Sequence, residues 1–125
     1  MTERLFLAVV GVAYIVLAVW CSLRPGQTSQ SVGFTLTPGS GRSEYLVVYG
    51  GLELGLGIVF LLPLYKPEQA LFVLAVCLII HACLVLFRTI SFFLYSGIGS
   101  TTYVLAVVEW VIFLFALLLT VLRSR

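Results

Sequence analysis

The chain has 125 residues, of which 62% are apolar and only 10% charged. A water-solvated domain carries about 25% charged residues, so these proportions, with a mean hydropathy of +1.18, exclude a soluble globular domain. The net charge of +2 comes from seven Lys/Arg and five Glu scattered along the chain, without the clustered basic face that nucleic-acid binding needs.

Four stretches approach the ~20 apolar residues a membrane span requires. The first covers residues 5–23. It exceeds the apolar core of a secretory signal and no Ala-x-Ala site follows it. Bulky Trp20 before Cys21 also argues against lipoprotein cleavage, so the segment is expected to remain as a helix. Arg24-Pro25-Gly26 should end it. The polar linker from Gln27 to Arg42 is expected to lie on the membrane surface, dipping Phe34 and Leu36 into the headgroups. The second span covers 44–62, and Pro63 and Pro67 bracket a turn at Leu64-Tyr65-Lys66. Pro67 suits the first turn of the third span, 67–95, where its missing N–H costs nothing. That span is long enough to tilt, or to lay its last turn along the interface. After Ser96-Gly97-Ile98-Gly99, one of Ser100, Thr101 or Thr102 can cap the fourth span, 102–122. The predicted fold is all-α: one domain, a four-helix transmembrane bundle with both termini on the same side. The terminal side then holds Arg4, Lys66, Arg123 and Arg125. Arg24 and Arg42 lie opposite, with Arg88 near that edge, which favours cytoplasmic termini.

Ionisable residues inside spans carry the most information, because each costs about 2.5–3.5 kcal/mol near the bilayer centre and so faces the bundle and pairs. Glu53 lies in the second span, His81 and Arg88 in the third, and Glu109 in the fourth. At 1.5 Å per residue, Glu53 and Glu109 fall roughly 10–14 Å inside the non-terminal face, and Arg88 and His81 reach the same outer half. Tyr49, Glu53 and Gly57 share a helical face with Gly50 beside them. Cys77, His81, Arg88 and Tyr95 line another, and Thr102, Ala106, Glu109, Ala116 and Thr120 a third. Gly11, Tyr14, Ala18 and Cys21 do so on the first span. Small or polar stripes of this kind are where membrane helices meet. Two carboxylates with one guanidinium leave a formal charge of −1, to be balanced by a proton on Glu53 or Glu109 or by a cation or polar ligand head. Gly51 and Gly55 form a GxxxG on the opposite face of the second span, a pattern associated with helix pairing. The three cysteines read as small packing residues; Cys77 and Cys83 point roughly 120° apart and cannot bridge. No ligand spacing for a metal appears, and no cofactor motif.

Arg24-Pro25, Gly33 through Thr37-Pro38, Ser43-Glu44, Tyr49-Gly50-Gly51, Gly55-Leu56-Gly57, Arg88 and Glu109 resemble an uncharacterised bacterial family of small four-helix membrane proteins, a domain of unknown function. The resemblance spans nearly the whole chain. It implies a bacterial inner-membrane location and no known activity. The family carries a basic residue two positions after the equivalent of Glu44; Leu46 stands there in this chain. His81 with Phe87-Arg88-Thr89 is also similar, over a shorter stretch, to the four-helix scaffold protein of fungal sterol biosynthesis.

Three functions compete. In the first, the chain is a scaffold or accessory subunit, meeting a second copy or another membrane protein through Gly50, Gly51, Gly55 and Gly57. In the second, it binds or transforms a lipid-like small molecule in a pocket formed by Glu53, His81, Arg88, Glu109 and Tyr49, where a Glu/His pair could serve as acid and base. The third is a small proton-coupled transporter, although such transporters keep their acid in the first helix and this first span has none.

Overall fold

The computed structural model describes residues 2–123 of the chain; Arg125, counted above on the terminal side, lies outside them. Helix α1 (Thr2–Leu23) is followed by the short α2 (Pro25–Ser31), then α3 (Ser40–Tyr45). α3 runs on through a π-helical stretch (Leu46–Leu52) into α4 (Glu53–Tyr65). A 3-10 turn (Pro67–Gln69) leads into α5 (Ala70–Leu94), and α6 (Ser100–Arg123) closes the fold. Four helical segments, Thr2–Leu23, Ser40–Tyr65, Pro67–Leu94 and Ser100–Arg123, are long and apolar enough to cross a membrane. Each of the four predicted spans coincides with one of these helical segments; the second begins earlier and ends later than expected, from Ser40 to Tyr65 rather than 44 to 62.

The surface explains the composition. Only 11% of the most apolar window of α6 is buried by protein, so its remaining valines, leucines and aromatics must be solvated by something other than water. A helix apolar on every side is stable in lipid. With lipid outside there is little hydrophobic drive between helices, so close packing has to hold them together. α1 and α4 make the tightest pair, running antiparallel. Their glycines explain why. A Cβ on Gly11 would sit 2.9 Å from the Gly57 carbonyl oxygen, and one on Gly57 would sit 2.9 Å from the Gly11 oxygen and 2.7 Å from Ile15 Cγ1. A Cβ on Gly50 would meet a side chain instead, 2.6 Å from Ser22 Oγ. α5 and α6 form the second antiparallel pair, and α5 also packs against α1 and α4.

Along the bundle axis the interior changes character. At the end where the chain begins, Arg123 pairs with Glu3, so the first and last described turns meet. Arg4 Nε donates to the Pro63 carbonyl. That carbonyl belongs to the last turn of α4, whose final C=O groups lack helical partners. Next comes the apolar core: Leu7, Val10, Phe60, Val73, Leu74, Cys77 and Ala116, drawn from all four spans. Polar side chains occupy the half beyond it.

Several local expectations need correction. Pro63 does not open a turn; α4 runs past it to Tyr65. The start of the linker is helical: α2 packs back against the bundle with Thr28 and Ser29 buried. Its hydroxyls bond inside the helix, Thr28 to the Arg24 carbonyl, Ser29 to Gly26 and Ser31 to Thr28. Gly33, at φ +84°, closes α2: its N–H bonds Gln30 and the next N–H, of Phe34, bonds Ser29. This Schellman ending needs a left-handed residue, which glycine supplies without strain. Phe34 packs edge-on against the Tyr49 ring, 6.0 Å between centroids. Tyr95, placed on the α5 stripe by sequence, follows the helix end and is exposed. Cys21 and Cys77 are buried packing residues as expected, whereas Cys83 is exposed on the lipid-facing side.

Candidate functional site in the membrane

Three layers of polar and aromatic groups succeed one another above the apolar core. The first joins α1 to α5. His81 is 1% exposed. Its Nδ1 lies 2.9 Å from the Cys77 carbonyl, an oxygen that can only accept, so this nitrogen carries the proton. Nε2 is therefore the acceptor for the Tyr14 hydroxyl, at 3.2 Å. The Tyr14 ring meets Phe60 and His81 edge-on, at centroid separations of 5.4 and 5.9 Å. Both ring nitrogens of His81 are thus engaged, and the residue bridges two helices as a satisfied interior group.

The second layer joins α5, α6 and α4. Arg88 Nε donates to Glu109 Oε2 at 2.9 Å, and its Nη2 to Glu109 Oε1 at 2.6 Å. This fork-on-carboxylate geometry is the strong form of the pair. It sits partly open to the bundle surface, the side chains being 26% and 16% exposed. Glu53 enters from α4, close enough to Glu109 for their charges to act on each other. Among the described residues its Oε2 is buried and has no hydrogen-bond partner. Tyr14 lies within electrostatic reach of both acids.

The third layer roofs the second. Tyr45 and Tyr49 stack with ring centroids 4.4 Å apart. The Tyr45 hydroxyl donates to Thr28 Oγ1 at 3.0 Å, and Thr28 donates on to the Arg24 carbonyl at 2.8 Å. The Cys21 sulfur lies 3.6 Å from the same tyrosine oxygen. α2 is pinned by this chain of bonds. Tyr49 lies within reach of the fields of Glu53 and Arg88.

All five sequence-predicted side chains lie in the same half of the bundle, but not as one cluster. Arg88 takes Glu109 as its partner and leaves Glu53 beside the pair. His81 belongs to the layer below, and Tyr49 to the roof. Two participants go beyond the residues the sequence singles out for the site: Tyr14, which it places on a packing stripe, and Tyr45. A lone tyrosine deep in the apolar first span was the available signal, since a buried hydroxyl needs a partner. Thr89, Ser91 and Thr120 each donate to a carbonyl of their own helix.

The second-span glycines divide by face. Gly50 and Gly57 are buried against α1, whereas a Cβ on Gly51 or Gly55 would meet nothing within 4 Å. Beside that outward face runs an open apolar groove of about 500 Å³, lined by Ala18, Ser22, Leu46, Gly50, Gly51 and Leu54 among others.

Four lipid-facing helices closed around an ion pair at membrane depth define a small polytopic integral membrane protein. More particularly, the chain belongs to the family DUF4345, a domain of unknown function, whose model matches residues 2–120. No curated protein and no solved structure matches it. The sterol-scaffold similarity therefore rests on His81 and Phe87-Arg88-Thr89 alone, and Phe87 is an exposed lipid-facing residue.

Proposed function

We propose that this protein is a membrane-embedded scaffold, an accessory subunit of the bacterial inner membrane that holds a partner's transmembrane helix against the outer face of its second span. The observation that carries this reading is the open face at Gly51 and Gly55, continuous with the groove between α1 and the π-helical stretch. Glycine inside a helix costs about 1 kcal/mol relative to alanine. At Gly11, Gly50 and Gly57 that cost is offset by close packing within the chain. At Gly51 and Gly55 nothing within the chain offsets it, and a closely approaching helix would. The loops are short, and most polar side chains of the bundle already bond one another, which favours a packing role over catalysis. Arg4, Lys66 and Arg123 at one end, against Arg24 and Arg42 at the other, favour termini in the cytoplasm.

A photo-crosslinking residue at exposed Leu54, in membranes of the native host, tests the reading. The expected product is a discrete adduct with another membrane protein, lost in the Gly51→Leu and Gly55→Leu variants while the bundle itself still folds. An adduct with a second copy of this chain would make the protein a homo-oligomer. A strict monomer in mild detergent, with no adduct and no co-purifying protein, overturns the proposal.

A further inference from the structure

The groove beside the second span does not run the depth of the membrane. On α1 its wall reaches only from Ala18 to Leu23, five steps or about 7.5 Å of rise, against a hydrocarbon core about 30 Å thick. Further in, the close approach at Gly11 and Gly57 brings α1 and α4 together. A partner's helix resting on Gly51 and Gly55 crosses the whole core, so the groove beside it suits a narrower occupant that enters from one end. Ser22 is the only polar side chain in its lining.

The mouth of the groove is basic. Arg24 follows the lining residue Leu23, and Arg42 lies one helical turn before the lining residue Leu46 on an unbroken helix, hence on the same face. α1 and the second span run antiparallel, so both arginines stand at the same end. That end is tied together: Tyr45, three residues after Arg42, donates to Thr28, which donates to the Arg24 carbonyl. Both arginines are exposed, and neither is ion-paired among the described residues. Exposed Glu44 sits about 200° around the helix from Arg42.

We propose that the groove holds an anionic phospholipid, its phosphate between Arg24 and Arg42 and one acyl chain lying against Ala18, Leu46 and Leu54. A guanidinium matches a phosphate with paired N–H donors, and the apolar walls take the chain. A zwitterionic lipid carries the same phosphate but cancels it with its own cation, so two unpaired guanidiniums select the lipid of net negative charge. The inference goes beyond the scaffold reading and does not depend on it.

The test uses the purified full chain in dodecyl maltoside. Native mass spectrometry with dioleoyl phosphatidylglycerol, dioleoyl phosphatidylcholine and glycerol 3-phosphate as probes is expected to show one retained phosphatidylglycerol, held about tenfold more tightly than phosphatidylcholine, as charge-assisted hydrogen bonds imply. Glycerol 3-phosphate, which has the phosphate without the chains, should not be retained. Arg24→Gln/Arg42→Gln should lose the preference, and Lys66→Gln, an exposed cation at the other end of the bundle, should keep it. Equal retention of the two lipids, retention of glycerol 3-phosphate to match the lipid, an unchanged preference in the double variant, or an equal loss in Lys66→Gln overturns the proposal. On the unmodified protein, a phosphatidylglycerol with a diazirine in its acyl chain should label residues 18–23 and 46–54 when read by peptide mass spectrometry. Labelling spread evenly over the four spans also overturns it. The scaffold test reads a protein adduct in native membranes and this one reads a lipid on the isolated chain, so either fails without the other.

Discussion

Arg88 and Glu109 form the pair whose removal has the clearest consequence. Their four hydrogen-bonding atoms are matched two by two, so deleting one side strands the other inside the membrane. Breaking a buried pair from one side costs about 3–5 kcal/mol, whereas replacing both members with apolar groups is often neutral. Arg88→Leu is therefore expected to lower the thermal unfolding midpoint in detergent markedly. The double variant Arg88→Leu/Glu109→Leu should recover most of the loss. Equal midpoints for the natural protein and Arg88→Leu would mean that the pair contributes nothing to holding α5 on α6. The sequence identified both residues and their faces, but not which acid Arg88 would choose. Helical spacing gives an angle around each axis; the choice between Glu53 and Glu109 depends on the gap between neighbouring axes, which spacing does not contain. Tyr14 was under-read for a similar reason, because its role exists only through His81 on another span.

At the scale of the element, the glycines of the second span make a sharper test than their shared identity suggests. Gly57→Ala would push a methyl against the Gly11 carbonyl and the Ile15 side chain. That contact is tighter than real Cβ atoms tolerate, and the obstacle is backbone, so α1 and α4 must separate. Gly51→Ala meets open space and gains helix propensity of about 1 kcal/mol. The expected ordering of unfolding midpoints in detergent is Gly51→Ala at or above the natural protein, and Gly57→Ala well below it. The same midpoint for both variants would contradict the close α1–α4 approach. The amino-acid pattern assigned these glycines to opposite faces, as the structure finds them. It did not reveal α2, because Pro25 to Ser31 has no apolar periodicity. That turn is held by its own hydroxyls, by Gly33 and by Tyr45 reaching across from α3, and these contacts become visible only once the chain has folded back.

For the whole molecule, the four spans were legible because the requirement is coarse. About 20 apolar residues are needed wherever a helix crosses lipid, and the composition leaves few other arrangements. Orientation follows from finer evidence. Arg4, Lys66 and Arg123 gather at one end, with Arg4 bonded to Pro63 and Arg123 to Glu3. If the excess of basic residues governs insertion, a cysteine introduced at Thr2 is accessible to a membrane-impermeant maleimide only after the cells are opened. One introduced at Gln30, in α2, reacts in intact cells. The reverse pattern would invert the protein in the membrane and place the tyrosine roof on the cytoplasmic side.

The winding of Leu46–Leu52 has a consequence for all of this. Hydrogen bonds that skip five residues rather than four change the angular phase of whatever follows. Glu53 is the first residue after that stretch. Its direction is therefore set by how its neighbours coil as much as by its own position in the chain. Removing one residue from the stretch would swing every later side chain of the helix by about 100°. The carboxylate would then turn away from Glu109, and Gly57 away from Gly11, without either residue having been changed.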